Sequence, residues 1–295
     1  MARDEAGCRQ AEVCRSVPSG RLFGVSSGRG SGRLWLPQLE LLYRRASAAS
    51  AVVKLGENEA MQSIKLFSDG ADLASLLEMA KNPRISGFTT NPTLMRKAGI
   101  TDYEAFAHQV LAEIKDRPIS FEVFADDFGE MAKQAKKIAA WGSNVYVKIP
   151  ISNTRGESSV ELVRDLSVNG RVQLNVTALC TLEQVHHTTQ ALRGGAPAVV
   201  SVFAGRIADT GRDPIALMRA ARAICDASGA SAELLWASPR ELLNIIQAEQ
   251  AGAHIITVPP DMLKKMALFG KDLAEYSLET VKMFHSDATA AGYKL

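Results

Sequence analysis

The chain predicts a (β/α)8 barrel, and three observations carry that prediction. From Met61 onward, short runs with a period of 2 alternate eight times with stripes of period 3.6, over roughly 200 residues. Almost every predicted strand ends in a polar or charged side chain, at the end where a barrel keeps its active site. The first strand is followed by Ser68-Asp69-Gly70-Ala71-Asp72 rather than by a glycine-rich phosphate loop. An open, doubly wound sheet usually shows such a loop, so it is the second reading.

The elements follow in order. Strand one is Ile64 to Asp69, and Leu73, Leu76, Leu77 and Ala80 then mark one face of a helix. Strand two, Ile85 to Thr89, runs into Asn91-Pro92, where proline suits a first helical turn. Strand three is Ile119 to Ala125, followed by a lysine-rich helix from Asp127 to Ala140. Strand four ends Val145-Tyr146-Val147-Lys148-Ile149-Pro150, stopped by a residue that cannot continue the ladder. A helix follows through Val160, Leu162, Val163 and Leu166. Arg171 to Thr177 and Ala198 to Phe203 read as strands five and six, with helices Leu182 to Leu192 and Pro214 to Ala227 behind them. Glu233 to Ala237 and His254 to Val258 complete the eight, followed by helices through Leu242 and Ile246 and from Met262 to Leu268. A last helix, Lys271 to Ala290, lies beyond the eight units. Its stripe of Leu273, Tyr276, Leu278, Val281 and Phe284 is more apolar than a free tail should expose.

Residues 61–295 are thus expected to form the barrel and its extra helix. The first sixty differ: Gly-Ser-Arg clusters from Gly24 to Arg33 have neither period, and the segment reads as a disordered or non-native extension. The whole chain has 295 residues, 46% hydrophobic and 22% charged, with a formal charge of +2. That balance points to neither nucleic acid nor an anionic membrane as partner, and no run reaches the ~20 apolar residues of a membrane span. Four scattered cysteines and five histidines show no metal-ligand spacing, so no metal is expected. A reducing cytoplasm is the expected compartment.

Lys148 is the residue with the most to say. An ammonium on a buried strand costs several kcal/mol unless it is paired or neutralised. A neutral buried amine is a nucleophile able to form a Schiff base with a carbonyl. The plainer reading is a strand-end lysine whose head reaches water. Around it fall Asp69, Thr89, Thr90, Asn91, Glu122, Asn175, Thr177, Ser201, Arg206, Ser238 and Arg240. Singly, Asp69 or Ser238 also fits a helix cap, and Asn91 a turn. Two carboxylates, one lysine and two arginines at one rim exceed structural need. They suit a carbonyl substrate with an anionic tail, the carboxylates moving protons and the arginines binding the tail.

Five segments resemble transaldolases: Gly87-Phe88-Thr89-Thr90-Asn91-Pro92-Thr93, Val145 to Pro150, Asn175-Val176-Thr177-Ala178, Ser201 to Ile207, and Ala237-Ser238-Pro239-Arg240. The resemblance spans residues 62–268 and keeps their order. It implies a (β/α)8 barrel, no metal or organic cofactor, and transfer of a dihydroxyacetone unit between sugar phosphates. By position it makes Lys148 the Schiff-base lysine, Asp69 the base at the C4 hydroxyl, and Glu122 with Thr177 the acid–base pair of dehydration. Asn91, Asn175 and Ser201 would hold the three-carbon enamine, and Arg206, Ser238 and Arg240 would clamp the phosphate. Fructose-6-phosphate aldolases share most of this set, with Gln at the position of Glu122 and Tyr at that of Phe203; both positions here follow transaldolase. Cys180 and Pro239 depart from the family pattern, and Pro239 borders the clamp, so a sulfonated or modified sugar is a further alternative. A silent barrel with an assembly role is a third, against which the retention of Asp69, Glu122 and Lys148 counts. The resemblance also implies a ring-like homo-oligomer of five or ten subunits.

Overall fold

The computed structural model describes residues 64–295, and the predicted extension of residues 1–60 lies outside them. Strands β1 (Lys65–Asp69), β2 (Ile85–Thr89), β3 (Ile119–Glu122), β4 (Val145–Pro150), β5 (Leu174–Leu179), β6 (Ala198–Val202), β7 (Ala232–Trp236) and β8 (Ile255–Val258) close in chain order into one barrel. Every neighbouring pair is parallel, including β1 with β8, so the fold is the (β/α)8 barrel.

Helices return the chain between strands: α1 (Leu73–Ala80), α2 (Pro92–Lys97), α3 (Tyr103–Glu113), α4 (Phe128–Ala139), α5 (Val160–Arg164), α6 (Leu182–Ala191), α7 (Ala204–Asp209), α8 (Pro214–Ser228) and α9 (Leu243–Gln250); α10 (Pro260–Lys264) and α11 (Leu273–Ala290) follow β8. Most start on a side chain that satisfies a free amide of the first turn. Asp72, Asn91, Asp102, Asp127, Asp213 and Asp272 do this for α1, α2, α3, α4, α8 and α11, and Thr181 with Gln184 forms a capping box on α6.

The period of 2 sorts the strand residues into two cores. Leu66, Phe88, Phe121, Val147, Val176, Val200, Trp236 and Ile256 face outward and pack against the helices. Phe67, Val199, Leu235 and Ile255 face inward, with Tyr146 against them, and fill the barrel from below. Gly87 completes this plug, because a Cβ there would fall 2.5 Å from the Phe67 ring. One pleat further along each strand, two residues on, the inward positions become Asp69, Thr89, Glu122, Lys148, Asn175, Ser201, Ala237 and Thr257. An apolar plug therefore carries a polar layer, and that layer is the floor of the site.

Several predicted boundaries move for identifiable reasons. β3 stops at Glu122 rather than Ala125, since the amides of Phe124 and Ala125 are taken by the Gln134 side chain. β5 starts at Leu174 rather than Arg171, which adopts a left-handed φ of 54°. The helix expected over Met262 to Leu268 is α10 followed by a tighter turn, Lys265–Leu268. On α11 the predicted stripe of Leu273, Tyr276, Leu278, Val281 and Phe284 is exposed, and no residue of that helix is buried. Among the described residues no helix is long and apolar enough to cross a membrane.

Candidate active site

A cavity of about 540 Å³ opens at the C-terminal ends of the strands. Its wall includes Asp69, Asn91, Glu122, Lys148, Asn175, Thr177, Ser201, Phe203, Arg206, Ser238 and Arg240. These eleven residues, all singled out in the sequence, come from five strands and from the segments that follow β2, β6 and β7; Thr90, singled out with them, does not line the cavity but offers its carbonyl to Lys148.

Lys148 is 6% exposed, so its head does not reach bulk water as the plainer reading had it. Its Nζ donates to the Thr90 carbonyl at 2.8 Å and lies 3.0 Å from Glu122 Oε2. The ladder makes this pairing unavoidable: Glu122 and Lys148 are register partners across β3 and β4, and Lys148 and Asn175 across β4 and β5. A buried ammonium without such partners would cost several kcal/mol.

Asp69 is partly exposed and lines the cavity. It is the register partner of Thr89, whose hydroxyl donates to Asp69 Oδ1 at 2.7 Å. Burial is the largest influence on its carboxyl and pushes its pKa above the ordinary 3.8; the Lys148 charge and the Thr89 hydrogen bond pull the other way, and Glu122 adds to the rise. A carboxylate whose pKa is raised in this way is a stronger base toward a substrate hydroxyl than a free one.

Opposite lies a chain of neutral groups. Ser201 Oγ donates to Asn175 Oδ1 at 2.6 Å, and Asn175 Nδ2 donates to Ser120 Oγ at 3.0 Å. Thr177 Oγ is buried without a hydrogen-bond partner, a hydroxyl left for a water or a substrate group. Just beyond it, Ala178 has a φ of 66°, which displaces the β5–β6 register and costs about 1 kcal/mol for a residue with a Cβ. Asn91 does act as a cap, its Oδ1 accepting from Leu94 N, which leaves the amide's other end for the cavity.

The rim is cationic and open. Arg206 is exposed, its guanidinium 5.7 Å from the centre of the Phe203 ring. Arg240 is also exposed and bonds Asp209 through both Nε, at 2.9 Å, and Nη2, at 2.5 Å. Hydrogen bonds from Arg240 hold the Asp209 carboxyl below its ordinary range. Ser238 does not cap α9, which begins five residues later without a side-chain cap. It takes a left-handed φ of 62°, and its carbonyl presses on α7 so closely that a Cβ at Gly205 would fall 1.5 Å from it. Glycine at 205 is what lets the two arginine-bearing segments touch.

Three participants escaped the sequence reading. Thr257 of β8 lines the cavity and bonds Thr89 hydroxyl to hydroxyl; its one signal was a polar residue in an apolar strand. Asp209 ties down Arg240, and Tyr103 of α3 bonds the main chain of Glu122; nothing in the sequence marked either.

A lysine thus sits beside a carboxylate at the strand-end mouth of an eight-stranded barrel. Residues 66–295 match the family model Transaldolase/Fructose-6-phosphate aldolase, and the chain belongs to that family. A probable transaldolase of Dehalococcoides mccartyi is 37% identical over 203 residues, 69% of this chain and 90% of that protein. One from Streptococcus agalactiae is 34% identical over 217 residues, 74% of this chain and 95% of its own length. Probable transaldolase 2 of Listeria monocytogenes is 32% identical over 203 residues, covering 69% and 88%.

Proposed function

We propose that the chain is a transaldolase, which moves a dihydroxyacetone unit from a ketose phosphate to an aldose phosphate through an imine on Lys148. The observation that carries this reading is the Lys148 amine, the only primary amine on the cavity wall among the described residues, fixed 3.0 Å from Glu122 at the foot of the cavity.

Lys148 passes its ammonium proton to Glu122 and its amine attacks C2 of the ketose; the proton that the nitrogen then sheds moves to the carbonyl oxygen. Glu122 protonates the departing C2 hydroxyl, water leaves with the help of the Thr177 hydroxyl, and an iminium forms. Asp69 removes the C4-hydroxyl proton; the C3–C4 bonding pair flows into the iminium, and the shortened aldose departs. The enamine stays covalently held, its hydroxyls within reach of Asn91, Asn175 and Ser201. An incoming aldehyde is attacked by C3, the proton on Asp69 returns to the new C4 hydroxyl, and hydrolysis frees Lys148. Arg206, Ser238 and Arg240 bind the anionic tail of donor and acceptor alike. Phe203 brings no hydroxyl to the enamine carbon, which favours waiting for an aldehyde over protonation by water.

Borohydride reduction in the presence of a panel of ketose phosphates, read by intact mass, tests the reading. Wild type is expected to gain one reduced three-carbon unit, and Lys148→Ala to gain none while losing all transfer. Absence of an adduct on wild type with every ketose phosphate would remove the Schiff base.

A further inference from the structure

The upper end of β3 poses an accounting problem. In a parallel sheet, alternate residues turn their N–H and C=O toward opposite neighbours. Phe121 and Val123 face β4, where Val123 N donates to Lys148 O at 3.1 Å. Ser120 and Glu122 face β2. Ser120 O receives Thr90 N at 3.1 Å, and there β2 ends, because the chain turns at Asn91 into α2. Pairing between β2 and β3 stops at Thr89 and Ser120. The N–H and C=O of Glu122 thus emerge where no strand remains to receive them.

Tyr103 takes that place. Its hydroxyl donates to Glu122 O at 2.8 Å and accepts from Glu122 N at 2.8 Å. One side chain, brought by the first turn of α3, does the work of a missing strand residue. The ring is held among Phe121, Phe124 and Trp141, with centroids 6.3, 5.7 and 5.6 Å away. Burial pushes the phenol's pKa up, so its proton stays in place to be donated.

We propose that Tyr103 is a positioning residue for imine formation: its hydroxyl fixes the Glu122 main chain and so keeps the Glu122 carboxylate at Lys148 Nζ. This rests on the Schiff-base reading above. The end of β3 is then tied on both edges, to β4 on one side and to a phenol on the other. Without the phenol it is tied on one edge only, and the carboxylate loses its fixed distance from the amine.

The test compares full-length wild type, Tyr103→Phe, Glu122→Gln and the double variant. The rate of imine formation is read by rapid mixing with a ketose phosphate, borohydride quench and intact mass, across pH. Wild type should form the adduct. Tyr103→Phe should reach the same final adduct about 10- to 100-fold more slowly, with donor KM within about twofold and a flattened pH profile. Glu122→Gln should be slow and lack the same pH dependence, and adding Tyr103→Phe should slow it no further. Replacing Tyr103 by 4-aminophenylalanine, which still donates, should recover part of the rate; it also carries the test if Tyr103→Phe is insoluble. A Tyr103→Phe rate within twofold of wild type would overturn the proposal. So would an equal slowing of wild type and Glu122→Gln, which would make Tyr103 a support of the fold alone. No adduct on wild type would instead remove the underlying reading, and the proposal with it.

Discussion

The floor of the cavity and its rim are built in opposite ways. Lys148, Asn175 and Ser201 sit on strands, are buried, and find partners on neighbouring strands through the barrel's own register. Arg206 and Arg240 sit on segments beyond the strands and are exposed; one lies over a phenyl ring and the other pairs with a surface carboxylate. A fixed low-dielectric floor makes charges act strongly on each other, while a wet rim screens them and lets them move. Bond making belongs on the first, and recognition of a tail belongs on the second. The difference gives three ways to break the comparison.

The largest effect is expected at the floor. Asp69→Asn should lower C3–C4 cleavage about 10²- to 10⁴-fold while leaving borohydride trapping of the first imine intact. A base acts when ionised, and burial raises this one, so wild-type cleavage should fall as pH drops through a value above 3.8. That acidic limb should vanish in the variant. A carboxyl raised in the folded state contributes stability fully present below its ordinary pKa and lost as pH rises through the folded value. Above the folded value the ionised Asp69 is therefore a net cost, and there Asp69→Asn should raise the Tm by about 2–4 °C. An unchanged Tm together with an unchanged acidic limb would contradict the account of Asp69.

At the rim the effect should be smaller and of another kind. Arg240→Ala should raise the KM for phosphorylated donors about 10- to 100-fold, the range of one charge-assisted hydrogen bond, with kcat nearly unchanged. Added salt should shrink the difference. A loss in kcat equal to the loss in kcat/KM would show that the rim shares in bond making, and the division between floor and rim would fail.

Much of the floor was legible because strand alternation and strand ends are local patterns. Asp69, Glu122, Lys148 and Asn175 each stand out as polar residues within or at the end of an apolar run. The eight strands were legible for the same reason, apart from their ends. α3 was passed over because it restarts after Gly99, whose φ is 71°, with only Asp102 as its signal, in a connection that already contained α2. α7 was invisible because it is six residues long and has no capping side chain. Tyr103, Asp209 and Thr257 act through contacts 19 to 168 residues apart in the chain, which no local pattern reports. Left-handed backbone at Ala178 and Ser238 was equally hidden, since neither residue type advertises it.

The smallest change concerns the fate of the enamine. Phe203→Tyr would place a hydroxyl on the cavity wall, where it could orient a water toward the enamine. Release of free dihydroxyacetone should rise several-fold, within the ~10²-fold that a well-placed proton donor typically gives, while transfer holds or falls. No change in release would mean that the residue at 203 does not govern partitioning.

The central claim is that Lys148 holds a three-carbon enamine for transfer. It is tested most directly by mixing wild-type protein with a ketose phosphate, with and without an aldose phosphate acceptor, and measuring free dihydroxyacetone beside the new ketose. Turnover is predicted to depend on the acceptor, with dihydroxyacetone appearing only slowly in its absence. Release without acceptor as fast as transfer with it would contradict that claim and make the protein an aldolase.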